Sequence, residues 1–338
     1  MNKIVLFFSV LIVLLSGNAF AGKNDTLQYP LDYWFKKCEP HQAHYIRVAF
    51  KEGDWWHVQD IYAQTGTLYK DGLYSDDSMT VGEGMIFFYH SNGKLEKKAR
   101  HIKGKLEGLV KVYHTAGHLV DSGIYSKGIP KKAHYKWDSD GKLVFKGEYD
   151  EEGYGVGHEW EYYADGKISA VGNTAVGAKR DSIWTFYYPT GVMSAQDFYD
   201  KGSKMGRICY DEKGEKYEAT CEDAPAQPVE KPETINGRFS QRYSDMKESN
   251  YQINQSTGSM SGTFDQSFRF KKGTYIVLKV YVDEKGKMTK IDVPHGVHPQ
   301  VDKQVVDIFT GITKFKPRMD GNRAIASSFE WSFPLAGF

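Results

Sequence analysis

A sequence motif of about 24 residues recurs through the middle of this chain, and it constrains the fold more than any other feature of the sequence. Each copy has a pivot glycine at the end of a short polar turn, and successive pivots are 24, 24, 25, 25 and 23 residues apart. Repeats with periods of roughly 20 to 50 residues are typical of stacked arrays rather than of globular enzyme cores. The six pivots are Gly93, Gly117, Gly141, Gly166, Gly191 and Gly214.

Other residues keep register with the pivots. A glycine stands six positions after three of them, at Gly123, Gly147 and Gly172, and a second turn glycine follows five of them after eleven or twelve positions. An aromatic residue stands four positions before every pivot, which gives the series Tyr89, Tyr113, Trp137, Tyr162, Tyr187 and Tyr210. A core that repeats with the sequence requires this regularity, although a row of aromatic rings could also bind an extended ligand.

Each unit predicts a β-hairpin. In the fourth unit Trp160 and Tyr162 are two residues apart and therefore share one face of a strand, while Glu159 lies on the other face. The turn at Asp165-Gly166 suits a tight hairpin, since glycine tolerates the positive φ that such turns need. We therefore expect residues 60–221 to form a solenoid-like ladder of about six hairpin repeats, with a positive φ at each pivot.

The third and fourth units resemble the MORN-repeat variant family. The matching phrases are Gly147–Tyr149, Gly153–Gly157, Trp160–Tyr163 and Asp165–Lys167. The resemblance implies a β-hairpin array that serves as an interaction platform. Some relatives are proposed to contact lipid and some bacterial ones are labelled antitoxins, so the resemblance specifies the fold better than the function.

The first 21 residues predict a cleaved signal peptide. Lys3 precedes an apolar run from Ile4 to Leu15, and Ala19–Ala21 provides a small-residue cleavage site, so the mature chain should begin at Gly22. The apolar run is shorter than the roughly 20 residues that span a bilayer, although an uncleaved anchor is the alternative. We therefore expect a periplasmic protein with no stable membrane span in the mature chain, or a secreted or envelope-associated one. Residues 22–59 form a lead-in segment.

Charge and cysteine content fit an exported protein. Lys and Arg total 44 against 43 Asp and Glu, so no net field attracts nucleic acid. An oxidising compartment allows one disulfide among Cys38, Cys209 and Cys221. Cys209 and Cys221 flank the last hairpin and are the expected pair, with Cys38–Cys221 as the alternative.

A second domain follows a Pro-rich linker at 222–234. Within residues 235–338, Tyr275–Val282 and Met288–Val293 have the pattern of strands, and apolar residues at helical spacing follow Pro299. Alternation up to Phe333 predicts a third strand from Ala324, so the expected order is strand, strand, helix, strand. The fold class is thus mainly β, with the hairpin ladder followed by a small α+β domain.

This second domain resembles the C-terminal domain of TonB-type energy transducers. The matching phrases are Val280–Lys287, Phe315–Ile325 and Trp331–Pro334. The resemblance implies capture of a short receptor segment by strand addition to a sheet edge. A signal peptide in place of an anchor and a linker of a dozen residues depart from the transducer pattern, so only the binding mode carries over.

The candidate binding residues are those of the expected edge strand. They are Ala324, Ala326, Ser328 and Glu330. An envelope or outer-membrane protein or peptide is the expected partner, and the alternative is that the domain pairs with its own repeats or with a second copy of itself. No nucleophile elbow, phosphate loop or three-ligand metal motif occurs in the sequence, so we expect neither catalysis nor a cofactor. The competing hypotheses are a glycan- or lipid-acting envelope enzyme or enzyme subunit, and an antitoxin-like repeat protein.

Overall fold

The computed structural model describes residues 26–217, 221–238, 240–241, 270–297, 299–312 and 314–335. The signal peptide predicted over residues 1–21 lies outside these ranges. The predicted fold class is confirmed, because a sixteen-stranded sheet of hairpins is followed by a small strand-rich domain with a short helix.

The large sheet is an antiparallel meander in which every strand pairs with its neighbours in sequence. This order is what successive hairpins produce, since each turn returns the chain beside the strand it has just left. The strands are β1 (Leu27–Leu31), β2 (Tyr45–Glu52), β3 (Trp55–Tyr62), β4 (Leu68–Tyr74), β5 (Gly82–Tyr89), β6 (Leu95–Ile102), β7 (Lys105–Tyr113), β8 (Leu119–Ser126), β9 (Ile129–Trp137), β10 (Leu143–Tyr149), β11 (Gly157–Tyr162), β12 (Ile168–Ala175), β13 (Lys179–Tyr187), β14 (Met193–Asp200), β15 (Ser203–Tyr210) and β16 (Lys216–Tyr217).

The pivot glycines close the turns as predicted. All six have positive φ, from 79° at Gly93 to 103° at Gly117. At Gly166 the backbone N–H donates to the carbonyl of Tyr163 at 2.9 Å, and Asp165 accepts from the N–H of Lys167 at 3.1 Å. Because these hydrogen bonds join residues close together in the sequence, the turn can be predicted from the sequence alone.

The lead-in segment also belongs to the sheet. Leu27 pairs with Ala49 across β1 and β2, and Tyr45 pairs with Tyr62 across β2 and β3. These strands lack the 24-residue period, so the sequence pattern alone did not indicate that the sheet begins at Leu27 rather than near residue 60.

The glycines six positions after the pivots have a different role from the pivots. We call inner face the side of the sheet that carries the buried Ala49, Val58 and Trp184. A Cβ built on Gly172 would lie 2.4 Å from the Trp184 ring, and one on Gly123 would lie 2.8 Å from the His134 ring. Glycine is required here because a side chain of the next strand lies directly on the backbone.

Charged pairs complete the inner face near both ends of the sheet. Asp60 is fully buried and accepts from Arg47 at 2.7 Å and from Lys70 at 2.9 Å. Asp197, also fully buried, contacts Arg207 and lies 3.1 Å from Lys204. Burying these charges is tolerable because each is paired and hydrogen-bonded.

The C-terminal domain has the predicted order of strand, strand, helix, strand. Its main sheet is ordered β19 (Met288–His295), β18 (Tyr275–Val282) and β23 (Ser327–Pro334), and the helix α1 (Pro299–Ile312) covers one face, where Val301, Val305 and Phe309 are completely buried. The elements are β17 (Gln227–Pro228), β18 (Tyr275–Val282), β19 (Met288–His295), α1 (Pro299–Ile312), β20 (Phe315–Lys316), β21 (Arg318–Asp320), β22 (Arg323–Ile325) and β23 (Ser327–Pro334).

The first part of the Pro-rich linker is extended and attached to this domain. Gln227 and Pro228 pair with β20, Ala224 forms a bridge to Met319, and residues 232–238 are helical. Cys209 and Cys221 lie at disulfide distance, as predicted, with their Cα atoms 6.2 Å apart, and Cys38 is free.

The C-terminal domain contacts both halves of the large sheet. Its residues touch His44, beside β2, and Tyr187 at the end of β13. A flat sheet would place β2 and β13 roughly 50 Å apart. A domain of about 100 residues is only about 33 Å across. The sheet therefore curves around the C-terminal domain.

Candidate functional site

The outer edge of β23 is the candidate site. β23 pairs with β18 without interruption from Ser327 to Pro334, and in the described part of the chain no strand pairs with its other side. β19 forms the opposite edge, but its pairing with β18 is broken by two register shifts and it contains Pro294. An uninterrupted eight-residue edge is the better template for an added strand.

The backbone alternation identifies which groups of β23 face outward. The N–H of Leu335 donates to the carbonyl of Thr274 at 2.8 Å, in register with the β18–β23 pairs. Hydrogen bonding alternates along an antiparallel pair, so the N–H and C=O groups of Ser328, Glu330 and Ser332 point away from β18. Their side chains are exposed, whereas Phe333 faces the core.

The four predicted edge residues fall in different places. Ser328 and Glu330 lie in β23, Ala324 pairs with Met319 inside the small β21–β22 hairpin, and Ala326 lies between β22 and β23. The predicted strand over 324–333 is therefore divided. The turn at Gly321-Asn322, where both residues have positive φ, pairs residues 323–325 with β21, whereas residues 327–334 pair with β18, so the chain changes partner at Ala326.

The tip of that hairpin binds the inner face of the ladder. The Asn322 amide donates to the carbonyl of Tyr210 at 2.9 Å and to the hydroxyl of Tyr188 at 3.0 Å, and it accepts from Tyr217 at 2.6 Å. Gly321 lies on the Phe186 ring, so close that a Cβ would be 2.3 Å from it. This hairpin contact fixes one side of the C-terminal domain.

Arg323 fills the equivalent position one repeat earlier. Its guanidinium donates to the carbonyls of Ser169 and Tyr187 and lies 3.4 Å from the Tyr163 hydroxyl. Tyr163 precedes its pivot by three residues, as Tyr188 does in the next unit, so consecutive hairpin residues bind consecutive repeats. Arg323 is 3% exposed and lies 3.9 Å from the Glu161 carboxylate.

The lead-in segment holds the other side of the C-terminal domain, in what we call the N-terminal contact. Tyr33 donates from its backbone to the Tyr275 hydroxyl at 3.0 Å and from its own hydroxyl to Glu330 at 2.7 Å. The Gln42 amide donates to the carbonyl of Gly273 at 2.8 Å, and Trp34 stacks on Tyr275. A residue of the candidate edge thus takes part in this contact through its side chain.

Two histidines meet inside the N-terminal contact. The Nδ1 atoms of His44 and His295 are 2.9 Å apart. Burial lowers the pKa of both imidazoles from 6.5 to about 4, and the proximity of His295 contributes at His44. The two residues are 251 positions apart, so no sequence pattern could have brought them together.

The titratable side chains of the described ranges form local pairs and clusters, such as His57 with Glu52 at 2.9 Å and with Asp71 at 2.7 Å. Over the described ranges no three His, Cys, Asp or Glu side chains are placed to hold a metal ion. His114 and His118 do meet across their turn, with stacked rings 4.7 Å apart. Burial raises the pKa of Glu159, but Tyr149 donates to that carboxylate at 2.6 Å, which accounts for it as a satisfied structural group.

Comparisons with protein-family models and with curated proteins found no relative. The resemblances to MORN-repeat variants and to TonB-type domains therefore stay predictions drawn from the residues quoted above. Among the described residues, no helix is both long enough and apolar enough to cross a bilayer.

Proposed function

We propose that this chain is a non-catalytic, exported interaction protein of the periplasm. The ladder positions the C-terminal domain, and that domain captures an extended segment of an envelope partner by strand addition along β23. The observation that carries the proposal is the outward-facing backbone of Ser328, Glu330 and Ser332 on an edge of eight residues.

The chemistry of the edge suits reversible capture. Alternate residues of β23 bury Phe329 and Phe333 against the core, so an added strand need not disturb them. Ser and Glu between them leave a polar outer row, which protects a free edge from indiscriminate pairing. Main-chain bonds would supply affinity, and side chains of the partner that fall beside Glu330 would supply selectivity.

A proline at position 328 tests the proposal. Peptides are first selected from a displayed random library on the immobilised mature chain, and their affinity is measured by fluorescence anisotropy. Ser328→Pro removes one outward donor while the buried aromatic residues stay in place, so we expect at least a tenfold loss of affinity. Ser328→Ala is the matched control, since it removes the hydroxyl but keeps the N–H.

Two outcomes would contradict the proposal. The first is unchanged peptide affinity in a Ser328→Pro chain whose thermal unfolding matches that of the parent. The second is loss of affinity in both variants, which would assign binding to the hydroxyl rather than to the backbone. Ser332→Pro provides an independent repeat of the test, since its N–H faces the same edge.

A further inference from the structure

The two contacts that hold the C-terminal domain against the sixteen-stranded sheet and its lead-in segment differ in how they respond to protons. In the hairpin contact the donors and acceptors are Arg323, the Asn322 amide, phenols and backbone carbonyls. Guanidinium, amide, phenol and backbone groups as classes keep their charge between pH 4 and pH 7. The Glu161 carboxylate also lies in this contact, 3.9 Å from Arg323. Partial burial acts to raise the pKa of the Asp223 carboxylate, but hydrogen bonds from Arg207 and from the N–H of Gly321 lower it below its ordinary value.

The N-terminal contact instead has two imidazoles at its centre. His44 is fixed through its backbone, donating to Leu31 at 2.8 Å and accepting from Ala63 at 2.9 Å. His295 ends β19 and is 6% exposed. An Nδ1–Nδ1 hydrogen bond needs a proton on one ring and a lone pair on the other, so the neutral pair satisfies both atoms.

The groups that face the pair offer little compensation for added charge. The nearest rings are aromatic and neutral, with Tyr45 4.4 Å from His44 and Tyr275 4.5 Å from His295. The first added proton would place a cation in this desolvated pocket, and a second would remove the lone pair that the hydrogen bond requires. The titratable groups around the pair are Asp32, Tyr33, Cys38, Tyr45, Tyr62, Tyr275 and, through Tyr33, Glu330.

We propose that the His44–His295 pair is a proton-sensitive latch, which acid releases while the hairpin contact continues to hold the C-terminal domain to the ladder. Acidification would therefore open the N-terminal contact and let the C-terminal domain rotate about the hairpin contact, by which it stays attached to the ladder. The inference does not require peptide capture, although the two proposals share Glu330, which accepts from Tyr33 in the N-terminal contact.

The sign of the effect follows from linkage. Both imidazoles have a pKa of about 4 when docked, against 6.5 when exposed to water, so the undocked state binds more protons below pH 6.5. Docking is fully favoured above pH 6.5 and weakens as the pH falls from 6.5 towards 4. At pH 5 two such groups would reduce the docking equilibrium on the order of 10² to 10³-fold.

Paired fluorophores on the mature chain test the latch. They are introduced through unnatural amino acids, so that no thiol is added beside the disulfide. One pair at Glu39 and Glu284 spans the N-terminal contact, and a control pair at Lys213 and Arg318 spans the hairpin contact; all four side chains are exposed. We expect energy transfer in the first pair to fall reversibly between pH 6.5 and 4, with transfer in the control pair unchanged.

The variant His44→Gln with His295→Gln should abolish that transition, because amides can pair without titrating. Constant transfer in the Glu39–Glu284 pair down to pH 4, or the same transition in the doubly substituted chain, would overturn the latch. If the substituted chain fails to dock at pH 7.5, NMR titration of the wild-type imidazoles decides the matter. Midpoints near 6.5 for both histidines would then be evidence of rings that are not buried together, and the proposal would be wrong.

Discussion

The ladder and the C-terminal domain bury their side chains in opposite ways. In the ladder each strand contacts its sequence neighbours, and burial is divided among small local clusters, such as the one formed by Ala170, Trp184, Phe186 and Ala195. In the C-terminal domain, residues far apart in sequence gather in one apolar cluster around Phe309 and Val280. The ladder should therefore tolerate local damage by local fraying, while the C-terminal domain should unfold as one unit.

The largest effect should come from the shared core of the C-terminal domain. Phe309→Ala removes a fully buried ring that contacts Phe333 and Trp331, and we expect a loss of about 3–5 kcal/mol. Calorimetry should show the C-terminal transition lost or moved far down, with the ladder transition retained. A single transition shifted as a whole would mean that the two regions unfold together.

The second largest loss of stability should come from opening the disulfide that closes the last repeat. Replacing both Cys209 and Cys221 by serine opens a loop with a sequence separation of 12 and should cost about 3 kcal/mol. The effect should be confined to the end of the ladder and measurable as faster hydrogen exchange in β15 and β16. Cys38→Ser is the matched control, and an equal loss there would implicate Cys38 in the linkage.

A smaller effect should come from crowding one repeat. Gly172→Ala places a methyl group against the Trp184 ring, and overpacking of this kind costs about 1–3 kcal/mol. Gly206→Ala is the control, because a Cβ there meets nothing within 4 Å. Urea unfolding followed by tryptophan fluorescence should separate the two variants, and equal midpoints would show that Gly172 is not needed for close packing.

The smallest effect should come from strain at a pivot that has free space. Gly166 has a φ of 84°, and a Cβ added to it would meet no atom within 4 Å. A substitution there therefore strains the backbone without a steric clash. Gly166→Val should cost more than about 1 kcal/mol, whereas Gly166→Asn should cost less because Asn adopts positive φ more readily. A melting temperature for the valine variant equal to that of the parent would contradict the hairpin assignment.

The sequence predicted what depends on near neighbours. Turn glycines such as Gly166 and Gly191, and the strand at Tyr275–Val282, depend on residues a few positions apart and were recognised correctly. The division of the last strand was missed because the β21–β22 hairpin is held by the ladder as well as by its own turn. The His44–His295 contact could not be predicted either, because the two partners come from opposite ends of the chain.

Attachment at two separate places has a further consequence for the C-terminal domain. Once one contact opens, the other keeps the two surfaces tethered at an effective concentration that reaches the millimolar range for short connections. The open contact can then reform without a search through solution, and its reclosure rate does not depend on protein concentration. Contacts too weak to hold two separate molecules together are thus sufficient here, because the bond between Asn322 and Tyr210 keeps His295 within reach of His44.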